Sequence, residues 1–485
     1  MRALLDRSLT ALARLALRGF YRRVEVVGAE HVPRDVPLLV VANHFNALLD
    51  AVLVMHALGR LPRFVAKAAL WRPVWARPLL WLAGMVPVQR RQDGGDTAAN
   101  HGMFTSTAQE LAAGRTVALF PEGGLSPDPR LRPLRTGAAR IALGARRAGT
   151  EGLMILPVGL VYEDTIALRS RALVRIGAPV DLDAEVARSD RDDDTTASAT
   201  DVRREVDPAL AGDPGPEDPT AVRALTDLLE LRLRSLTPAY RDELEAAALG
   251  RAADLAQQPT EQLPPPEVPL AAQQELARRL AEAPDHERAT LIDHVARYEL
   301  GLSLVGLRDP QLVAGLRPGR LARLFLTTLA RLALLAPFAL VGAAINALPY
   351  WGVHWSGRFV ANPALRASAR LLAGVVLFPA TWVLVAWLAP WDQWWARAGI
   401  IVGAPALGLV AVRALEEVVA VRRTWRGLIA RIERRGTLDR LHAQRRELVA
   451  RIERVAAAVD TTATAPVSTA RCAGPRDPDG GGASQ

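Results

Sequence analysis

The chain has 485 residues, half of them apolar, with 60 Lys and Arg against 51 Asp and Glu and a net charge of +9. That length allows two or three domains, the apolar half excludes a wholly disordered chain, and a lone Cys472 excludes a disulfide framework or a Cys-based zinc site. The charge is uneven: residues 181–220 carry 13 acids against 4 bases and residues 421–457 carry 11 bases against 4 acids, so the basic charge follows apolar segments and suits anionic lipid headgroups rather than nucleic acid.

Residues 1–23 predict an amphipathic helix, with Leu5, Leu9, Leu12 and Ala16 at helical spacing and Arg7, Arg14, Arg18 and Arg22 on the other side. Charges interrupt the apolar run every few residues, so this is neither a signal peptide nor a span. The helix either docks on its own domain or lies on a membrane surface.

Residues 24–182 alternate strand and helix. Arg23–Val27, Pro37–Val41, Val86–Val88, Thr116–Phe120, Leu153–Val158 and Ala172–Ile176 are short β-branched or apolar runs, and Ala47–Leu58, Ala99–Ala113 and Gly137–Ala148 are helical in pattern. The alternation predicts an α/β domain with a central sheet. Residues 183–220, acidic and rich in Ala, Thr and Pro, read as a solvated linker or insertion. Residues 221–315 form a helical region, Ala221–Gln257 and Ala271–Val305, broken around Pro264, Pro265 and Pro266.

Residues 316–415 hold three uncharged windows, Leu332–Gly357, Leu371–Trp391 and Ala398–Val412. A membrane span needs about 20 residues at ~1.5 Å each, which the second window satisfies and the third approaches. Trp382, Trp387, Trp391, Trp394 and Trp395 cluster as an interfacial belt would. The expectation is a membrane-embedded region in which the second and third windows make a hairpin. The first window, interrupted by Pro337, Asn346 and Pro349, enters and returns or lies in the interface; a very apolar buried helical domain is the alternative. Residues 416–459 predict a basic helical pair turning near Gly436, and residues 460–485 are disordered by composition.

Four short blocks carry chemistry. Asn43-His44-Phe45-Asn46-Ala47-Leu48-Leu49-Asp50 follows an apolar strand and opens a helix. A histidine at that mouth exchanges a proton near neutrality, and a carboxylate one or two turns on can hold its far ring nitrogen. In a continuous helix six residues turn ~240°, so His44 must precede the helix for the pair to form. Phe120-Pro121-Glu122-Gly123-Gly124 is a strand running into a glycine loop whose amides suit an oxygen or phosphate. Gly84–Arg91 is a strand ending in Arg90 and Arg91, which alone reads as a surface salt bridge or as a phosphate fork, and Ile155–Gly159 is a buried strand. Lys67 is the sole lysine among 59 arginines, as though a guanidinium would not serve there.

Together these blocks resemble the glycerolipid acyltransferase superfamily over about residues 20–180. Phe64-Val65-Ala66-Lys67 and Pro133-Leu134-Arg135-Thr136-Gly137 are similar to that family too. Two departures, five residues between His44 and Asp50 and Gly124-Leu125-Ser126 where an arginine is usual, look like the fungal-type glycerol-3-phosphate/dihydroxyacetone-phosphate acyltransferases. Val222–Glu230 and Gly306–Gln311 look like that branch as well. The resemblance implies an N-terminal acyltransferase domain with a central mixed sheet flanked by helices, a helical region, and C-terminal membrane helices.

By the same resemblance His44 is the general base and Asp50 its orienter. Arg90 is the first choice for the acceptor phosphate, with Lys67 and Arg135 behind it, and Glu122, Gly123 and Gly124 position the glycerol part. No metal and no resident cofactor is implied. The partners are an acyl thioester (acyl-CoA or acyl carrier protein), a phosphorylated glycerol-type acceptor and the lipid bilayer. The leading expectation is sn-1 acylation of glycerol-3-phosphate or dihydroxyacetone phosphate by an integral protein of the cell membrane, catalytic domain on the cytoplasmic side. The alternatives are sn-2 acylation of lysophosphatidate and, in another class, a non-catalytic membrane adaptor.

Overall fold

The computed structural model describes residues 2–72, 74, 77, 80–81, 84–88, 100–125, 130–193, 210, 214–238, 240–258, 267–313, 318–391, 393–433 and 435–464. Helix α1 (Arg2–Phe20) precedes strands β1 (Arg23–Val27), β2 (Leu38–Ala42), β3 (Arg63–Lys67), β4 (Val86–Val88), β5 (Thr116–Leu119), β6 (Met154–Tyr162), β7 (Arg171–Ile176) and β8 (Val180–Asp181). Among the strands lie α2 (Ala47–Leu58), α3 (Asn100–Ala112) and α4 (Gly137–Arg147). The strands form one mixed sheet ordered β1-β7-β6-β2-β5-β3-β4, with β8 on β6. Among the described residues only β6 with β7 and β6 with β8 pair antiparallel. The short β3 is not among the sequence-predicted strands; Arg63 and Lys67 at its ends hide its apolar middle.

Strand β2 shows how the layers arise. All five of its residues are buried. Their alternation sends Leu39 and Val41 to a core shared with α4 and α6 (Pro219–Leu236), and Leu38, Val40 and Ala42 to one shared with α1 and α2. A central strand covered on both faces reads as a continuous apolar run for this reason. On α1, Leu17 and Phe20 dock into the second core while Leu12 and Leu15 stay exposed, so the helix is docked and keeps an outward apolar edge.

The acidic segment is not wholly a linker. Its first part is helix α5 (Leu182–Asp193), fixed by Asp183, which accepts from Arg146 and from the Gly152 amide, each at 2.9 Å. Residues 194–209 lie outside the described residues. The helical stretch over 221–257 consists of two helices, α6 and α7 (Glu243–Gln257), because Asp242 caps a new start by accepting from the Glu245 amide at 2.8 Å. Helices α8 (Leu270–Ala281) and α9 (Asp285–Val305) follow. Glu25 of β1 accepts the Leu270 and Ala271 amides at 2.9 and 3.0 Å, fastening the start of α8 to the sheet edge.

After α10 (Asp309–Val313) come α11 (Pro318–Ser356), α12 (Pro363–Leu388) and α13 (Trp394–Glu433). All three are long and apolar enough to cross a membrane, over Phe325–Phe359, Leu365–Leu388 and Trp394–Val419. The first window, expected to be interrupted, is one unbroken helix through Pro337 and Pro349. Proline removes one backbone donor but does not stop a helix whose neighbours re-satisfy it. Asn346 packs α11 on its neighbours: its amide donates to Gly342 O at 2.8 Å and Ala404 O at 3.3 Å, and its oxygen accepts from Trp382 Nε1 at 2.9 Å, joining all three helices. Helix α13 ends at Glu433 and the last helix, α14 (Arg435–Thr464), begins one residue before Gly436 and runs past 460; residues 465–485, Cys472 included, lie outside the described residues.

Candidate active site

Parallel pairing puts the carboxyl ends of β2, β5, β3 and β4 on one edge. Val41 pairs with Leu119, Phe64 with Ala118, and Lys67 with Val88. Continuing these registers three residues on brings His44 level with Glu122, and Lys67 level with Pro121. Open α/β sheets bind ligands at this edge.

His44 sits in the loop before α2, as the six-residue step requires. Its Nδ1 lies 2.8 Å from Asp50 Oδ2. The same oxygen accepts the Phe45 and Asn46 amides at 2.7 and 2.8 Å, and Tyr162 donates its hydroxyl to Oδ1. Asp50 is wholly buried and His44 keeps 14% of its side chain exposed. The imidazole stacks on Phe120, ring centres 4.0 Å apart. With Nδ1 held by a carboxylate, Nε2 is the nitrogen left for a substrate proton. Asn43 locks the strand end below by exchanging hydrogen bonds with Leu160, 2.9 Å to its oxygen and 2.7 Å from its amide.

Between His44 and Asp50 the chain makes a turn at Ala47. Ala47 has φ +37°, a conformation rare for a residue with a side chain. The turn thereby lifts His44 back over Asp50 before the helix begins.

Glu122 is buried and braces two loops: Oε1 accepts the His44 amide at 2.7 Å and Oε2 the Arg132 amide at 3.3 Å. Burial pushes its carboxyl above the usual value, and those two amides pull it part of the way back. Gly123 has φ +73°, and a Cβ there would meet Arg135 Nε at 2.2 Å, so the Arg135 stem lies across this glycine. A Cβ on Gly124 would come within 3.5 Å of Arg132 Nη1. Lys67, half-buried, ends β3. Arg90 lies outside the described residues, two positions beyond Val88 where β4 ends.

The structure therefore brings His44, Asp50, Glu122, Gly123, Gly124 and Arg135 together, with Lys67 on the same sheet edge. Sequence reasoning missed Tyr162, Asn46, Phe120 as a ring support, and Arg132. Tyr162 ends a strand parallel to β2, a relation that only the sheet order discloses. Burial, followed by the charge of Asp50, pushes its phenol well above the ordinary value, so it stays a donor.

Residues 23–161 match the family model described as Acyltransferase. An uncharacterized acyltransferase of Schizosaccharomyces pombe is 24% identical over 34% of this chain and 37% of its own length. The human 1-acyl-sn-glycerol-3-phosphate acyltransferase alpha is 32% identical over 26% of this chain and 42% of its own. The Saccharomyces cerevisiae glycerol-3-phosphate O-acyltransferase 2 is 36% identical over 18% of this chain and 12% of its own. The chain thus spans about two-fifths of the length of the first two relatives. Residues 23–161, built around the His44–Asp50 pair, thus form a domain that matches the Acyltransferase family model and is similar to glycerolipid acyltransferases.

Proposed function

We propose that the protein moves an acyl group from a thioester to the sn-1 hydroxyl of glycerol-3-phosphate or dihydroxyacetone phosphate, for dihydroxyacetone phosphate its one free hydroxyl. The observation that carries acyl transfer is the His44 Nδ1–Asp50 contact of 2.8 Å, at the carboxyl edge of the sheet and beside the Glu122 loop. His44 Nε2 takes the acceptor's hydroxyl proton as its oxygen attacks the thioester carbonyl. The tetrahedral intermediate collapses, the C–S bond breaks, and the thiolate takes the proton back from the imidazolium. Asp50, held by Phe45, Asn46 and Tyr162, stabilises that imidazolium. Arg132 and Arg135 beside the Gly-Gly loop, with Lys67 at the end of β3 and, from the sequence motif, Arg90, supply cations for the acceptor's phosphate. The donor is a co-substrate, and the scheme uses no resident cofactor or metal.

The six-residue step from His44 to Asp50, absorbed by the left-handed Ala47, supports the sn-1 acceptor. The human relative, whose name specifies a 1-acyl acceptor, supports sn-2 acylation as the second reading. The intact pair stands against a non-catalytic adaptor. The connection from α11 to α12 carries Arg358, Arg366 and Arg370, and Arg370 reaches Ile166 of the sheet domain, which favours the cytoplasmic side of the cell membrane for the site.

The test offers the purified full chain one acyl-CoA with glycerol-3-phosphate, dihydroxyacetone phosphate and lysophosphatidate in turn. Glycerol-3-phosphate or dihydroxyacetone phosphate is expected to give the highest kcat/KM. A higher value with lysophosphatidate moves the assignment to sn-2, and no transfer to any acceptor overturns the enzymatic reading.

A further inference from the structure

The beginning of α12, the second apolar helix, reaches into the loop between His44 and Asp50. Ser368 is buried there. Its Oγ donates to Asn46 O at 2.8 Å and accepts from Leu48 N at 3.0 Å. Those two backbone groups flank the left-handed Ala47. Asn46, at the N-cap of α2, gives that helix no side-chain cap; its amide donates instead to Thr165 O at 3.0 Å. An orphan amide in a first helical turn needs an acceptor. For Leu48 the acceptor comes from a serine 320 residues away.

The contact is reinforced on both sides. Ala367 and Leu371 join the core of Leu49 and Leu53. Arg370 Nη1 donates to Ile166 O at 2.6 Å, in the segment that also receives the Asn46 amide. A left-handed alanine does not hold its own conformation, since its Cβ crowds the following carbonyl. The turn persists because its surroundings fix it. The Phe45 and Asn46 amides just before Ala47 are the ones that hold Asp50 Oδ2 beside His44 Nδ1.

We propose that Ser368 is a positioning residue for acyl transfer: from the apolar helix α12 it caps the turn between base and orienter, so that the His44–Asp50 geometry depends on the seating of that helix. The proposal rests on the assignment of His44 as base. The groups facing the pair are Glu122 from the β5 loop with Arg132 behind it, Tyr162 from β6, and Tyr21 after α1. None of them is touched by substituting Ser368.

The test compares Ser368→Ala and Ser368→Thr with the wild-type full chain in phospholipid vesicles. Ser368→Ala should lower kcat about 10–100-fold, the scale of a misplacement near 1 Å, with both KM values nearly unchanged. The acid limb of kcat/KM should move to lower pH, because a looser Asp50 stabilises the imidazolium less. Ser368→Thr, which keeps the hydroxyl, should restore most of the loss.

A second readout needs no acyl transfer. The pH dependence of His44 modification by diethyl pyrocarbonate, mapped by mass spectrometry, should show a lower midpoint in Ser368→Ala. If that variant does not fold, Ser368→Cys provides the same comparison. An unmoved midpoint, or a loss of rate that only tracks loss of folded protein, overturns the proposal. A shifted midpoint in a chain that acylates none of the three acceptors keeps the positioning role and overturns the assigned reaction.

Discussion

Glu122 is a buried carboxyl held between two loops. Its two oxygens take amides from the β2 and β5 loops, and burial raises its carboxyl above the reference value of 4.5. The folded state therefore holds that proton more firmly than the unfolded chain does. The contribution of this site to stability is complete below the unfolded pKa and is lost as pH rises through the raised folded value. Glu122→Gln removes the titration while keeping an acceptor for His44 N. The melting temperature of the variant, relative to wild type, is expected to rise between pH 5 and pH 8. A relative fall over that interval would mean that the two amides outweigh burial. His44 and Asp50 were legible at this scale because both partners lie within one turn-and-helix segment. Tyr162, Arg132 and Ser368 were not, because their role depends on which strand or helix end the fold brings alongside.

Among the elements, the segment Gly306–Gln311 shows how a motif noticed in sequence can have a structural use. Gly306 ends α9 with φ +72°, and Asp309 then accepts from Tyr298 at 2.6 Å and from Arg445 at 2.7 and 3.2 Å. Arg445 also donates to Leu255 O at 3.0 Å, so one buried pair joins α7, α9, α10 and α14. Removing one partner of a buried ion pair leaves an uncompensated charge, so Asp309→Ala should destabilise the helical region by about 3–5 kcal/mol. The double variant Asp309→Leu with Arg445→Met should recover much of that. Denaturant unfolding of the three proteins checks it, and a loss below about 1 kcal/mol in the single variant would contradict the buried-pair account. The breaks at Asp242 and within the acidic segment were missed for a related reason. A capping aspartate and a paired one look alike in composition, and only the partners Glu245 N and Arg146 separate them.

At the scale of the molecule, the sheet domain and the apolar helices share contacts. Arg169 Nε reaches Glu416 of α13 at 2.9 Å, and Ser368 and Leu371 of α12 join α2. The start of α12 and the middle of α13 are thus on the side of the sheet. Helix α11 begins a few residues after Asp309, which Arg445 holds, and ends at Ser356, where Gly357 abuts Arg370. Its carboxyl end thus lies on that side, and its middle packs on the α12–α13 hairpin through Asn346, which meets Trp382 and Ala404. Single cysteines in a Cys472→Ser background test this arrangement. Gln393→Cys is expected to react with an impermeant thiol reagent applied to intact cells, whereas Asn362→Cys and Arg440→Cys are not. Reaction at position 362 from outside would make α11 a true span and defeat the hairpin. The apolar windows and the basic tail were plain from composition, but the docking of α12 beneath the His44 loop was not, since a helix end carries no mark of what it touches.

All of this depends on one group, the His44 imidazole held by Asp50. The most direct measurement is steady-state acyl transfer by the purified His44→Ala protein beside wild type, on the preferred acceptor, with circular dichroism and vesicle binding recorded on the same samples. Loss of a general base predicts a fall in kcat of at least about 10²–10⁴-fold with fold and membrane binding intact. Turnover within a few-fold of wild type by a folded, membrane-bound His44→Ala protein would contradict the account.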